Sequence, residues 1–194
     1  LPDAAVKESR DRVKAALKNT GFEVPAAKIT VNLAPADLHK TGPIYDLPIY
    51  LSLLRASGST AADFSGAVFL GELALDGSVR RVTGALPMTI MAAEKGFKRI
   101  FLPADNAAEA SVVKGIEVYG VRSALEVVNF FEGLISLRPE EPLDFRPAAE
   151  GSYPDMADVL GQAMAKRALE IAAAGGHNTL LIGPPGSGKS MLAR

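Results

Sequence analysis

The spacing of apolar residues predicts alternating helices and strands along the first 137 residues. Apolar positions at helical spacing predict helices at residues 3–19, 47–56, 85–95, 105–113 and 123–132. Short apolar or alternating runs predict strands at residues 28–34, 66–75, 78–82, 99–102 and 116–119. Asp76-Gly77 separates two of these runs, which is typical of a hairpin turn. Together these elements predict an α/β (α+β) domain with a mixed sheet.

Two aspartates in this part are expected to have local structural roles. Asp3 follows a proline at the start of the first helix and is expected to cap it. Asp46 precedes the strongly apolar helix at residues 47–56 and is expected to be its N-cap rather than part of a metal or acid–base cluster. Pro48 would then occupy the first turn, where its missing N–H costs nothing.

The pattern changes after residue 137. Residues 138–152 are rich in proline and acidic residues and lack periodicity, which predicts a linker. A second domain, residues 153–194, is predicted to begin with an alanine-rich helix over residues 164–174 that Gly175 and Gly176 end. The apolar run at residues 178–182 then predicts a buried strand.

A glycine-rich loop with phosphate-binding spacing follows that predicted strand. It matches G-x-x-x-x-G-K-[ST] at every fixed position, and its residues are Gly183, Pro184, Pro185, Gly186, Ser187, Gly188, Lys189 and Ser190. Glycines let the backbone curl so that successive N–H groups point at phosphates, and a helix expected over residues 188–194 adds partial positive charge. Lys189 would reach the β- and γ-phosphates of ATP, and Ser190 would bind Mg²⁺. The predicted nucleotide site continues to Met191.

Composition narrows the remaining possibilities. The net charge is −1 without a basic tract, which argues against a major nucleic-acid surface in these 194 residues. There is no cysteine, so disulfides and thiolate metal sites are excluded, and a reducing cytoplasm is compatible. The two histidines, His39 and His177, lack ligand spacing. No run of about 18 apolar residues predicts a membrane span.

The ends of the sequence suggest an internal fragment. The chain begins at Leu1 without methionine and ends four residues after Ser190. P-loop ATPases also need an acidic residue on another strand to hold Mg²⁺ and position water, and nothing downstream of the loop supplies it. We therefore expect that this chain binds ATP but cannot hydrolyse it alone, and we assign no catalytic residue to it.

Several blocks together resemble one family. They are residues 2–13, residues 29–38 with 46–49, residues 71–80, and residues 161–178 leading into the phosphate loop. In these blocks the chain resembles the ComM/YifB family of magnesium-chelatase-related ATPases over essentially its whole length. The resemblance implies an N-terminal domain similar to the proteolytic domain of Lon, followed by the start of a ring-forming AAA+ ATPase domain. It further implies that Val159 and Leu160 line the adenine pocket.

The family also implies a function for the intact protein. That function is a cytoplasmic, ATP- and Mg²⁺-dependent hexameric helicase that drives branch migration of DNA during natural transformation. Three alternatives stay open: a magnesium-chelatase-type motor for metal insertion, a Lon-like ATP-dependent peptidase, and a non-enzymatic oligomerisation module. We expect the last description to fit residues 1–137 taken alone.

The resemblance to Lon permits a test for protease chemistry. Lon-type proteases use a serine nucleophile and a desolvated lysine base. On the Lon pattern the nucleophile position falls at Ile44 or Tyr45 and the base position falls near Leu86, while the next lysine is Lys95. We therefore expect no protease activity. The scattered candidates that remain, which we interpret as surface or capping residues, are Ser52, Ser57 and Lys40.

Overall fold

The computed structural model describes residues 4–33, 42–143 and 155–193. The chain divides into two compact units, residues 1–145 and 146–194. The helices of the first unit are α1 (Ala4–Asn19), α2 (Asp46–Ala56), α3 (Ala85–Glu94), α4 (Ala104–Ala110) and α5 (Ala124–Phe131). Its strands are β1 (Ala67–Phe69), β2 (Glu72–Leu73), β3 (Val79–Arg80), β4 (Arg99–Pro103) and β5 (Glu117–Val121).

Parallel and antiparallel strands lie in separate sheets. Strands β1, β4 and β5 form a parallel sheet in the order β1-β4-β5, and β2 pairs with β3 in an antiparallel hairpin. The predicted α/β class and the hairpin are therefore confirmed, but the expected single mixed sheet is two sheets among the described residues. Whether the domain is similar to Lon stays a prediction.

The predicted strand at residues 66–75 is divided between the two sheets. Strand β1 ends at Phe69 and β2 begins at Glu72. Between them, Leu70 N–H donates to Phe101 O in β4, whereas Gly71 N–H donates to Ile44 O. A Cβ at Gly71 would lie 2.6 Å from Val79 Cγ1, so glycine permits the close approach at which the chain changes partners.

The predicted strand at residues 28–34 is wrong for residues 28–33, which form no strand; residue 34 lies outside the described part. Val31 is 48% exposed, so the alternating pattern does not mark a buried face. Just upstream, Phe22 and Val24 pack against the core instead. An alternating run forms a stable strand only where a neighbouring strand and a buried face receive it.

Two packed clusters hold the first unit together. The apolar stripe of α1, with Val13 and Leu17 each 1% exposed, packs with α2 around Tyr50 and Phe101. A second cluster includes Ala85 of α3 and Ile100 and Leu102 of β4. The helix at α1 is confirmed over its described residues, although Asp3 and its expected cap lie outside them.

The segment after α5 runs back along the edge strand β5. Glu140 N–H donates to Val118 O at 2.7 Å, and Leu143 N–H donates to Ser111 Oγ at 3.3 Å. Leu137 packs against the core. The first residues of the predicted linker, 138–143, are thus held against the first unit. Residues 144–154 lie outside the described part, so the linker assignment stays a prediction.

The second unit contains two α-helices among its described residues. They are α6 (Ala163–Gly175) and α7 (Lys189–Leu192), preceded by a 3₁₀ helix at Met156–Asp158. Gly176 ends α6 in the left-handed conformation at φ 63°, as predicted. The predicted helix at residues 188–194 is shorter, covering Lys189–Leu192; residue 194 lies outside the described part.

The predicted buried strand at residues 178–182 is wrong. These residues pair with no strand in the described part of the chain, and Leu180 and Ile182 are 80% and 88% exposed. A lone extended segment cannot satisfy its own backbone N–H and C=O groups, because a β-strand needs a neighbour. No second strand occurs in residues 155–193 to provide one.

Candidate phosphate-binding loop

Left-handed glycines shape the loop that precedes α7. Gly186 and Gly188 have φ values of 79° and 81°, a region that residues with a Cβ rarely occupy. Ser187 N–H donates to Pro184 O at 3.3 Å, which closes a tight turn between them. The motif glycines therefore adopt the curled conformation that the sequence predicts for residues 183–190.

Gly183 allows the loop to fold closely onto itself. A Cβ at Gly183 would lie 2.9 Å from Ser187 Oγ and 4.0 Å from Lys189 Cδ. Any larger residue at this position would have to displace the Ser187 hydroxyl. The closeness follows from the absence of a side chain at residue 183, not from strain, because Gly183 does not have a positive φ.

The side chain of Lys189 folds back across the loop. Its Nζ donates to Gly183 O at 2.8 Å and to Pro184 O at 2.7 Å, and it lies 3.3 Å from Ser187 Oγ. Within the described part of the chain, this ammonium group is thus held beside the loop backbone by neutral oxygen acceptors. A phosphate oxygen carries more negative charge than a carbonyl oxygen, so it would be a stronger acceptor for the same group.

The backbone amides at the start of α7 remain available within the described loop. The earliest helical amide that donates to a carbonyl is that of Met191, which reaches Gly188 O at 3.1 Å. The amides of Lys189 and Ser190 lie in the first turn of α7 and have no intrahelical acceptor. Ser190 is exposed, and its hydroxyl makes no hydrogen bond to the described residues. A hydroxyl oxygen of this kind suits Mg²⁺, which prefers oxygen ligands.

The loop fits the group that its motif implies. It offers amide donors, one ammonium group and an accessible hydroxyl within eight consecutive residues, and it contains no carboxylate that would repel phosphate. Lys189 and the amides would hold the phosphates, and Ser190 would hold Mg²⁺. Their contacts with a nucleotide stay predictions.

Gln162 reaches the loop and was not foreseen from the sequence. Its Nε2 donates to Ser187 O at 3.4 Å. It also has a φ of 53°, and among the described residues it is the one residue other than glycine with a positive φ. The sequence signal that could have found it is its position after Gly161, directly before the predicted helix.

The residues expected at the adenine pocket differ in exposure. Val159 is 7% exposed and Leu160 is 92% exposed, so the two neighbouring side chains do not share an environment. Met191, at the other end of the predicted site, is 53% exposed. The adenine-pocket assignment stays a prediction.

Asp46 is not the N-cap that the sequence suggests. Tyr45 is the N-cap residue of α2, and Asp46 is the first residue of the helix, with no exposed surface. Its carboxylate accepts hydrogen bonds from the Ser9 hydroxyl, from Arg12 Nε at 2.7 Å and Nη2 at 3.3 Å, and from Leu73 N–H at 3.2 Å. The prediction failed because periodicity cannot show that α1 and β2 supply donors to this carboxylate.

The Asp46 cluster joins three elements of the first unit. Ser9 and Arg12 lie on α1, Asp46 on α2 and Leu73 on β2. The hydrogen bond to Asp46 raises the pKa of Arg12, partly opposed by the burial of the guanidinium. No buried side-chain nitrogen or oxygen in the described residues lacks a partner, so this cluster is a satisfied structural network rather than an open site.

The positions expected for a Lon-type dyad lie in helices of the first unit. Ile44 is buried in the 3₁₀ helix Pro43–Tyr45, and Leu86 lies in α3. Ser57 is the C-cap residue of α2, and its hydroxyl donates to Leu54 O at 3.1 Å. Ser52 is exposed on α2, and Lys40 lies outside the described residues. The expectation about protease activity stays a prediction.

The described residues lack two features that would indicate other functions. No group of three or more His, Asp or Glu side chains is placed to hold a metal ion. No helix among these residues is both long and apolar enough to cross a membrane.

The fold is that of an α/β protein, and a family model identifies its last residues as the start of a chelatase-type ATPase domain. A family model described as subunit ChlI of Mg-chelatase matches residues 1–106, and another, described as magnesium chelatase, subunit ChlI, matches residues 155–194. The chain belongs to the ComM/YifB family of magnesium-chelatase-related proteins.

Individual relatives support that assignment. The chain is similar to the uncharacterized protein YifB of Salmonella typhimurium, with 47% identity over 194 residues, and to the competence protein ComM of Haemophilus influenzae, with 45% identity over 197 residues. Each match covers 100% of this chain, which spans 38% of the length of either relative. A shorter match, 37% identical over 87 residues, covers 45% of this chain and 19% of the DNA repair protein RadA of Bacillus subtilis.

Proposed function

We propose that this chain forms part of an ATP-driven motor that moves DNA, and that residues 183–190 bind the phosphates of ATP. The observation that carries the proposal is the geometry of Lys189. Its ammonium group is folded over the loop on two carbonyl oxygens, with left-handed glycines on the approach to α7. The membership in a chelatase-type ATPase family supports the same assignment.

The residues of the loop would divide the work of binding. Backbone amides and Lys189 would neutralise the β- and γ-phosphates, and Ser190 would ligate Mg²⁺, which supplies charge neutralisation when bound. Lys189 would exchange its carbonyl acceptors for phosphate oxygens, a favourable exchange because an anionic phosphate oxygen attracts the ammonium group more strongly than a neutral carbonyl oxygen does. Hydrolysis by P-loop ATPases also depends on an acidic residue on another strand, which holds Mg²⁺ and positions water.

The names of two relatives lead us to propose DNA as the substrate. One relative is named as a competence protein and another as a DNA repair protein, and DNA processing is common to those two roles. The net charge of −1 without a basic tract argues against a major DNA contact in these 194 residues, so we assign the gripping of DNA, the hexameric ring and branch migration to the intact protein. A cytoplasmic location belongs to the same proposal.

A metal-insertion motor is the second candidate. Both family models that match the chain carry the name of the magnesium chelatase subunit ChlI, and this observation favours it. ATPase activity of the complete gene product separates the two candidates: a DNA motor is stimulated by branched DNA, whereas a chelatase motor is stimulated by its porphyrin-binding partners. A peptidase stays an alternative that labelling with a serine-reactive probe would reveal.

Calorimetric titration of the complete gene product with Mg·ATP tests the phosphate site. We expect Lys189→Ala to weaken binding at least about tenfold, because it removes charge-assisted hydrogen bonds to phosphate. Lys95→Ala is the matched control, since Lys95 is an exposed lysine of the first unit, and it should bind as the wild type does. Equal affinity of Lys189→Ala and the wild type, or no binding by either, would refute the proposal.

A further inference from the structure

We propose that Gln162 is a positioning residue of the phosphate loop, which fixes Ser187 and, through it, Lys189 in the arrangement that receives a triphosphate. This inference rests on the proposed function, because positioning the loop matters only if the loop binds phosphate. It assigns a role to a residue that lies 25 positions before Ser187, at the entry to α6.

The backbone of Gln162 has a conformation that carries a steric cost for any residue with a Cβ. Gln162 adopts φ 53° and ψ 33° in the left-handed region, directly after Gly161 at φ 71°. A glycine would adopt the same conformation without steric cost. Strained backbone of this kind persists where surrounding contacts hold it, and it clusters at ligand sites.

The side chain of Gln162 ends on the loop. Its Nε2 donates to Ser187 O at 3.4 Å. The backbone carbonyl of Gln162 accepts from Lys166 N–H at 3.0 Å in the first turn of α6. Among residues 155–193, the bond from Gln162 Nε2 to Ser187 O is the hydrogen bond that joins residues 155–182 to residues 183–193. Gln162 thus links the start of α6 to the phosphate loop.

Ser187 is the residue at which the contacts of the loop meet. Its carbonyl accepts from Gln162, its N–H donates to Pro184 O at 3.3 Å, and its hydroxyl lies 3.3 Å from Lys189 Nζ. The same hydroxyl occupies the space beside Gly183 where a Cβ would lie. The hydrogen bond to the Ser187 carbonyl therefore restrains the peptide bond between Ser187 and Gly188, and Gly188 directly precedes Lys189.

A restrained loop binds more tightly than a mobile one because less conformational freedom is lost on binding. The link from Gln162 is a single neutral hydrogen bond at an exposed site. Its loss should weaken Mg·ATP binding by about three- to tenfold, the range that corresponds to one such bond. Loss of Lys189 removes contacts to the phosphates themselves and should weaken binding more.

Four variants of the complete gene product test the inference by calorimetry with Mg·ATP and by thermal unfolding. Gln162→Met keeps a similar length and no charge but removes the donor, and Gln162→Gly removes both the donor and the strain. Gln162→Lys keeps a donor and should restore most of the affinity. Glu170→Gln is the control, because Glu170 lies on the same helix and pairs with Arg167 on its exposed face.

The Gln162→Gly variant separates positioning from a purely structural role. We expect weaker binding together with thermal stability equal to or above that of the wild type, because glycine relieves the left-handed strain. If Lys189→Ala still loses binding, two results would overturn the inference: affinity and stability that fall together in the Gly variant, or wild-type affinity in both the Gly and the Met variants. Absence of Mg·ATP binding by the wild type would instead overturn the proposed function and this inference with it.

Discussion

Replacing Asp46 with alanine should destabilise the first unit severely. Asp46 has no exposed surface, and its carboxylate accepts hydrogen bonds from Ser9, Arg12 and the Leu73 amide. Alanine would remove the acceptor of two hydrogen bonds from the Arg12 guanidinium, and it would leave the buried Ser9 hydroxyl and the buried Leu73 amide without theirs. Removing one partner of a buried ion pair costs about 3–5 kcal/mol. Because the Arg12 side chain keeps 19% exposure and can regain some water, we expect the lower half of that range.

Amide hydrogen exchange measures this loss where it should occur. In β4 and β5, the amides of Ile100 and Val118 lie in the buried parallel sheet and report the opening of the first unit. Thermal unfolding should also shift, by about 2–4 °C for each kcal/mol in a chain of this size. Asp46→Asn keeps the shape of the side chain and removes its charge. It should lose at least half as much stability as Asp46→Ala, because the NH₂ group of asparagine would face the N–H donors of Arg12.

Asp11→Ala is the matched control for the Asp46 variant. Asp11 is an exposed aspartate on α1 beside Arg12, so its removal should change stability by less than about 0.5 kcal/mol. The double variant Arg12→Met/Asp46→Ala should be less destabilised than the sum of its parts, because the hydrogen bonds between the two side chains are lost in each single variant and are counted twice in the sum. A loss below about 1 kcal/mol for Asp46→Ala, or one equal to that of Asp11→Ala, would refute the argument that this carboxylate joins α1, α2 and β2.

Two further predictions concern packing and pH. Gly120→Ala should cost about 1–3 kcal/mol, measured by urea unfolding, because its Cβ would lie 2.8 Å from Ala107 Cβ on α4; unchanged stability would contradict the packing of α4 on β5. Burial raises the pKa of Tyr50, although the hydrogen bond with Thr20 partly opposes this effect. The stabilisation that neutral Tyr50 provides is therefore complete below about pH 10, and it is lost as the pH rises through the higher pKa of the folded state. The unfolding free energy of Tyr50→Phe should decline less steeply with pH in that range than that of the wild type. Equal slopes of unfolding free energy against pH would count against that assignment.

Local patterns predicted the elements whose causes are local. Ser123 caps α5, as its hydroxyl accepts from Glu126 N–H at 3.2 Å, and Asp76-Gly77 turns the hairpin between β2 and β3. The conformation of Gly186 and Gly188 also follows from the motif, because only a residue without Cβ takes a positive φ at little cost. In each case the residue type and its immediate neighbours determine the geometry.

The features that the sequence did not reveal depend on distant partners. Asp46 is surrounded by donors from α1 and β2, which no local pattern places there. The contact from Gln162 to Ser187 spans 25 positions and depends on a backbone conformation that glutamine rarely adopts. The run at residues 178–182 has the composition of a strand, but composition cannot provide the neighbouring strand that would bury Leu180.

A crystal structure of the complete gene product with Mg²⁺ and a non-hydrolysable ATP analogue tests the central claim most directly. The account predicts that Lys189 Nζ leaves Gly183 O and Pro184 O for phosphate oxygens at about 2.7–2.9 Å. It also predicts that Ser190 Oγ ligates Mg²⁺ at about 2.0–2.1 Å. An analogue bound elsewhere, with Lys189 still on the two carbonyl oxygens, would contradict the assignment of residues 183–190 as a phosphate site.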